Sequence, residues 1–307
     1  MLRHINIHLT SDRKTIDHLF LSQDYFQEYI GINNFHELCS NQIFTYYAAS
    51  KMLEKYIPSE LTNLMSLSEH IHGVIQHLGF GLWLIRDHSI NTPAVHVFDR
   101  SGNYTNNSLS NTKYVLFSNS FGEYKDVSFT CEEVSKAIDL FEKFDQLTKS
   151  DLLDIEHREP HYNVKNVPYN TFGRLNRAKQ FVTIARYQSF LPMKISAYIS
   201  CLESLFTTDE TNVARKVSSR AANFLGGNRR QKLLIKDQIK KSYHPVRSKY
   251  FHGQLLNNSV QDLSALKIVS KELDEIIRRI LYKIITIEPE FVSYNDGEIE
   301  TKFDRAE

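Results

Sequence analysis

The sequence predicts an α+β N-terminal domain with a small sheet, followed by an all-α helical bundle. Three observations carry this reading. Short apolar runs separated by turn-forming residues are confined to the first half of the chain. From about Asn170 the strand signal disappears and apolar residues recur at helical spacing. Between them Glu159 to Asn170, EPHYNVKNVPYN, carries two prolines and few core residues, the composition of a linker. The expected domains are 1–160 and 170–290.

In chain order, Asn41 to Ile57 is patterned as a helix that Pro58 stops. Ser59 to Gly79 is a second helix, with Leu61, Leu64, Met65, Leu67, Ile71, Val74, Ile75 and Leu78 as its apolar positions. The runs GLWLIRD, AVHVFD, KYVLFSNS and KDVSFT read as strands, and DRSGNYTNNSLSNT between them as loop. CEEVSKAIDLFEKFDQL, from Cys131, is an acidic amphipathic helix. Beyond the linker, the stretch from Arg174 to Phe206 is helical with a kink or break at Pro192. TNVARKVSSRAANFLG is a helix ended by Gly226, and NRRQKLLIKDQIKKSY is another. The last has a stripe of Leu266, Val269, Leu273, Ile276, Ile277, Ile280, Ile284 and Ile287. Each stripe needs a partner, so a bundle of four or five helices follows. The tail after Pro289 reads as a frayed end.

The chain has 307 residues, 41% hydrophobic and 24% charged, ordinary for a folded protein. Its three cysteines, Cys39, Cys131 and Cys201, are far apart and form no CxxC pair, which fits a reducing, cytoplasmic setting and no zinc ribbon. The N-terminus lacks the apolar core of a signal peptide, and no run approaches a membrane span, so no membrane partner is expected. The net charge of +1 hides an asymmetry. Residues 170–256 hold 16 Lys/Arg and 4 Asp/Glu, a net of +12, which leaves −11 for the rest. A basic bundle is the electrostatic footprint of a partner with a phosphate backbone; the alternative is that the two parts attract each other.

Several constellations carry no chemistry. His70 and His77 share a helix face but lie ~10 Å apart along its axis, and His72 adds no carboxylate partner in H-E-x-x-H style. His4 and His8 are too widely spaced for one ligand site, and His157 and His161 sit in the linker. Gly79-Phe80-Gly81 lacks the third glycine of a dinucleotide loop, and there is no phosphate loop or G-x-S-x-G. No metal and no cofactor are expected.

SYHPVRSKYFHGQLL, Ser242 to Leu256, places Arg247 and His252 five residues apart. In a regular helix these side chains point ~140° apart, and the pair alone is a weak signal. Its surroundings are more specific. AYISCLESLFTTDETNVARKVSSRAANFLG, followed by VRSKYFHG, resembles the Apea-like branch of the HEPN superfamily. The matching positions are Glu203 in the LESLF helix, the Arg215 to Gly226 segment, and Arg247 with His252 and Gly253. The likeness covers roughly residues 170–287 and does not extend to the first half.

The resemblance implies a helical bundle that pairs as a homodimer. Many such proteins are metal-independent ribonucleases of toxin–antitoxin, phage-defence and CRISPR systems. Their R-x4-6-H motif lies at the dimer seam, where two copies make one composite site. The expected catalytic residues are then Arg247, for charge stabilisation at phosphorus, and His252, for proton transfer. Glu203 is either a helix-surface carboxylate or a support that orients Arg247. Ser248 is the second supporting residue, standing where the family often has Asn, Asp or His. Lys249 and Tyr250 are candidates for RNA contact. Pro245 is expected to open a new helix, placing Arg247 in its first turn. The expected partners are RNA, a second copy, and an antitoxin or sensor protein. The alternative function is a non-catalytic HEPN module that binds RNA or a nucleotide, or only dimerises.

Overall fold

The computed structural model describes residues 14, 27–28, 31–40, 64–98, 108–112, 116–149 and 169–304. The helix expected at Asn41–Ile57, the loop at 99–107, the linker at 159–168, and His4, His8, His157 and His161 lie outside the described residues, as does the side chain of His70. The described chain is mostly helical, with one two-stranded antiparallel sheet. It forms two compact units, residues 1–75 with 92–114 and residues 76–91 with 115–307. The divide does not run at the 160–170 linker, because residues 76–91 and 115–149 belong to the second unit.

The first unit contains α1 (Ile32–Ser40), the start of α2 (Leu64–Ile85) and the hairpin of β1 (Ala94–Phe98) and β2 (Ser108–Thr112). Ala94 lies opposite Thr112, and Phe98 opposite Ser108. β1 is the expected strand, with Val95 and Val97 buried. β2 falls on sequence expected to be loop. Its polar side chains are bound: Ser110 Oγ meets Asn34 Nδ2 at 3.1 Å and His96 Nδ1 at 2.8 Å, and Asn111 Nδ2 donates to Ser68 Oγ at 2.9 Å. An apolar alternation cannot reveal a strand held by polar partners.

Two further expectations are corrected. GLWLIRD is mostly the end of α2, not a strand, and its Trp83 is fully buried. A short apolar run cannot be told from a buried helix by pattern alone. Gly81 permits close packing there, since a Cβ would lie 2.3 Å from the Ala137 carbonyl oxygen. The described parts of KYVLFSNS and KDVSFT form no strand. Their backbone groups find other partners: Ser118 N–H donates to the Arg186 carbonyl at 2.7 Å, Asn91 Nδ2 to the Phe117 carbonyl at 2.8 Å, and Lys125 N–H to Ser89 Oγ at 2.8 Å.

The second unit adds α3 (Cys131–Thr148), α4 (Arg174–Arg186), α5 (Leu191–Phe206), α6 (Val213–Leu225), α7 (Arg229–Ser242), α8 (Lys249–Phe251), α9 (Leu263–Thr286) and α10 (Asp296–Phe303). Capping boxes start three of them: Thr130 with Glu133, Asn228 with Gln231, and Asn295 with Glu298. Pro192 does break the helical stretch, as it sits in the first turn of α5, where a proline loses nothing. α5 is the central element and is buried on most sides, against α4, α9 and the segment after α7. The stripe of α9 is buried from Leu266 to Ile284, while Ile287 lies past the helix end and is exposed.

The tail is not frayed. Phe291, Ile299 and Phe303 are buried, and the rings of Phe291 and Phe303 pack against Phe206 and Phe224. The guanidinium of buried Arg220 donates to both Asp304 oxygens, at 2.7 and 2.8 Å, and to the Phe206 carbonyl at 2.7 Å. The bundle therefore extends to about residue 304, beyond the expected limit at 290.

A buried polar cluster ties the centre together. Asp274 accepts from Trp83 Nε1 at 2.8 Å and Tyr198 Oη at 2.9 Å, and pairs with Arg278. Lys194, wholly buried, donates to the Ala185 carbonyl at 2.8 Å. Burial pulls its ammonium down to about 7, against the pull of Asp274.

Candidate active site

The segment after α7 does not start a new helix at Pro245. The chain continues from α7 directly into a π-helical turn, Tyr243–Ser248, then into α8. A proline inside a helix removes a donor and crowds the carbonyl four residues back; a wider turn is one way to relieve both. Arg247 thus sits inside a continuous helical path, and the expected helix N-terminus beside it is absent.

Glu203 lies near the end of α5, which packs against this turn. Arg247 Nη2 donates to Glu203 Oε2 at 2.8 Å, and the Tyr243 hydroxyl donates to Glu203 Oε1. The Arg247 guanidinium carbon stands 5.3 Å from the centre of the Tyr243 ring and 5.6 Å from that of Phe251. Tyr243, Arg247 and Phe251 follow each other at four-residue steps, so the cation is flanked along one side of the chain by two rings. Arg247 Nε is buried and has no hydrogen-bond partner among the described residues. Burial raises the Tyr243 phenol above its ordinary range, and its hydrogen bond to Glu203 raises it further. The phenol therefore stays protonated, a fixed donor that holds the carboxylate in place.

His252 ends α8. Its backbone N–H donates to the Ser248 carbonyl at 3.2 Å, and Gly253 follows with φ +64°, a conformation suited to glycine. The imidazole is exposed and makes no hydrogen bond, ion pair or ring contact with the described residues. Ser248 and Tyr250 are half-buried, and Lys249 Nζ donates to Gln254 Oε1 at 2.9 Å. The Tyr250 ring lies 5.8 Å from that of Phe190 and 5.6 Å from that of Phe251. Phe190 and Phe251 are more than half exposed and Leu255 is 89% exposed, so an apolar surface borders the pair.

The structure brings Arg247 and Glu203 together as a bonded pair. It does not bring His252 into contact with either within one chain. Tyr243 was not anticipated, although its position four residues before Arg247 was the available signal. His72 Nε2 meets the Thr92 carbonyl at 3.1 Å, and the His77 ring stacks on Phe141 at 4.7 Å, so both have packing roles. Among the described residues no group of three or more His, Cys, Asp or Glu could hold a metal ion, and no described helix is long and apolar enough to cross a membrane. Compared with protein-family models, curated proteins and solved structures, the chain matches none.

Proposed function

We propose that this chain is an endoribonuclease of the HEPN type, with an α+β part followed by the helical bundle, acting as a homodimer without a metal. Arg247, held by Glu203 and flanked by two rings, is the observation that carries the reading. A cation fixed this way is oriented before any substrate arrives, which suits stabilisation of a phosphorane-like transition state. His252 is exposed and is the proposed proton carrier. The exposed rings of Phe190 and Phe251 supply the apolar surface that a second copy would cover, so that the two chains complete one site.

In the proposed reaction the ribose 2′-oxygen forms a bond to phosphorus while the bond from phosphorus to the 5′-oxygen breaks. A histidine takes the 2′-OH proton, and a proton is returned to the leaving 5′-oxygen. The products are a 2′,3′-cyclic phosphate and a 5′-OH. Such an activity fits a toxin or phage-defence effector with an antitoxin or sensor protein as partner.

The test is cleavage of an RNA oligonucleotide by wild type, His252→Ala and Arg247→Ala, with EDTA present and with a matched 2′-deoxy strand. Wild type should cut RNA alone, and each variant should lose about 100-fold or more. Equal cutting by wild type and His252→Ala, or cutting by none, counts against the reading. The second reading is a HEPN module that binds RNA without cutting it. Ser248 favours it, and so does the Glu203 carboxylate that already offsets the Arg247 charge. Binding without cleavage would select it.

A further inference from the structure

We propose that Arg174 and Arg220, clasped by the C-terminal segment, are positioning residues for the Arg247 site: they close the last turn of α5, which carries Glu203. What that site does rests on the nuclease reading above. The last carbonyls of a helix have no partner within it. In α5 these belong to Glu203, Ser204, Leu205 and Phe206. The Glu203 carbonyl accepts from the N–H of Thr207, just past the helix end, at 2.9 Å. Arg174 Nη1 donates to the Ser204 and Leu205 carbonyls at 3.4 and 3.3 Å, and to the Thr207 carbonyl at 2.9 Å. Arg220 Nη1 donates to the Phe206 carbonyl at 2.7 Å and to Thr208 Oγ1 at 3.0 Å. Arg174 is thus two hydrogen bonds from Glu203, by way of Thr207.

The two guanidinia come from α4 and α6, and carboxylates of the C-terminal segment fix both. Asp296 pairs with Arg174, Asp304 grips Arg220 at two points, and Glu300 accepts from Thr208 Oγ1 at 2.6 Å. The arrangement also answers an electrostatic problem. Glu203 puts a carboxylate in the last turn of α5, where the helix dipole disfavours negative charge. Two guanidinium charges at that end offset the dipole. The Arg174 and Arg220 side chains are only 13% and 1% exposed, so they act through the turn they hold and not on a substrate. The same turn presents the Glu203 carboxylate to Tyr243 and Arg247. A helix end without partners frays. Fraying here would carry Glu203 with it and free the Arg247 guanidinium.

The test is amide hydrogen exchange, read by mass spectrometry on the full chain. Asp304→Ala and Asp296→Ala are compared with wild type and with a control, Glu123→Ala, which breaks the Lys267 pair elsewhere in the same unit. Asp296 is mostly exposed, so its variant carries the test should Asp304→Ala fail to fold. The clasp variants should speed exchange in segments 203–207 and 243–252 by about threefold or more, and the control should not. Wild-type exchange at 243–252, or an equal rise in the control, overturns the proposal. Cleavage gives a second readout. Asp304→Ala should lower kcat about fivefold with KM within about twofold. Asp304→Ala/Glu203→Gln should then be no slower than Glu203→Gln alone, because both act on one carboxylate. Losses that multiply in the double variant overturn the path through Glu203. Should wild type cut no RNA, the nuclease reading fails and exchange alone decides the clasp. Should it cut RNA while 243–252 exchanges at the wild-type rate in both clasp variants, the clasp fails and the nuclease reading stands.

Discussion

The Arg247 guanidinium donates to the Glu203 carboxylate at 2.8 Å, joining two helical segments 44 residues apart in sequence. On the proposed reading Glu203 positions the cation rather than touching substrate. Glu203→Gln should leave the fold intact and RNA affinity within about threefold, while lowering kcat by roughly tenfold, an order-of-magnitude estimate from one charge-assisted bond. Arg247→Lys should lose more, because an ammonium cannot hold the carboxylate and a phosphate in one planar fork. Cleavage kinetics beside anisotropy titrations separate the two effects. A fall in affinity matching the fall in rate would deny Glu203 a positioning role.

The apolar surface beside the pair predicts the oligomeric state. Phe251 and Leu255 are exposed, so Phe251→Asp/Leu255→Asp should not disturb the core. Sedimentation velocity should find wild type as a dimer and the double variant as a monomer, with a melting temperature within about 2 °C of wild type for an independent surface change. A wild-type monomer at micromolar concentration would remove the composite site.

Lys194 makes stability depend on pH. Its folded value is about 7, and its ordinary value is 10.5. Between these the unfolded chain binds the extra proton, so stability rises with pH by up to ~1.4 kcal/mol per unit. The penalty is complete below about 7 and vanishes above about 10.5. Asp274 and Asp87 favour the charged form, and Arg186 opposes it. Lys194→Met should flatten this dependence in urea titrations from pH 7 to 10. The Ala185 carbonyl keeps its backbone donor from Gln188, so the substitution orphans no acceptor. An unchanged slope would mean that the ammonium stays charged when buried.

The C-terminal clasp should matter to stability. Asp304→Ala leaves the buried Arg220 guanidinium with the Phe206 carbonyl and Thr208 but without its bidentate partner. A loss of about 1–3 kcal/mol is expected, a melting shift of roughly 2–9 °C for a unit of this size. Arg220 holds the Asp304 carboxyl below its ordinary value of 3.8, so this contribution is present at neutral pH and fades as the pH falls below that value. No shift on substitution would show that the clasp forms equally well without the carboxylate.

Much of the helical half was legible in sequence. The stripe from Leu266 to Ile284 marks α9, Gly226 ends α6, and Pro192 opens α5, because each is a local property of backbone sterics or of spacing along one helix. The candidate residues Arg247, His252 and Glu203 were also legible, as was the concentration of positive charge in residues 170–256. What only the tertiary structure decided are the long-range partners. Glu203 takes both Arg247 and Tyr243, Trp83 is drawn into a helix over Asp274, polar β2 pairs with β1, and the tail is pinned by Arg220. Pattern along a chain reports which face of an element is apolar. It does not report which distant polar group will satisfy a buried donor, and that choice fixed the oriented cation and the real end of the bundle.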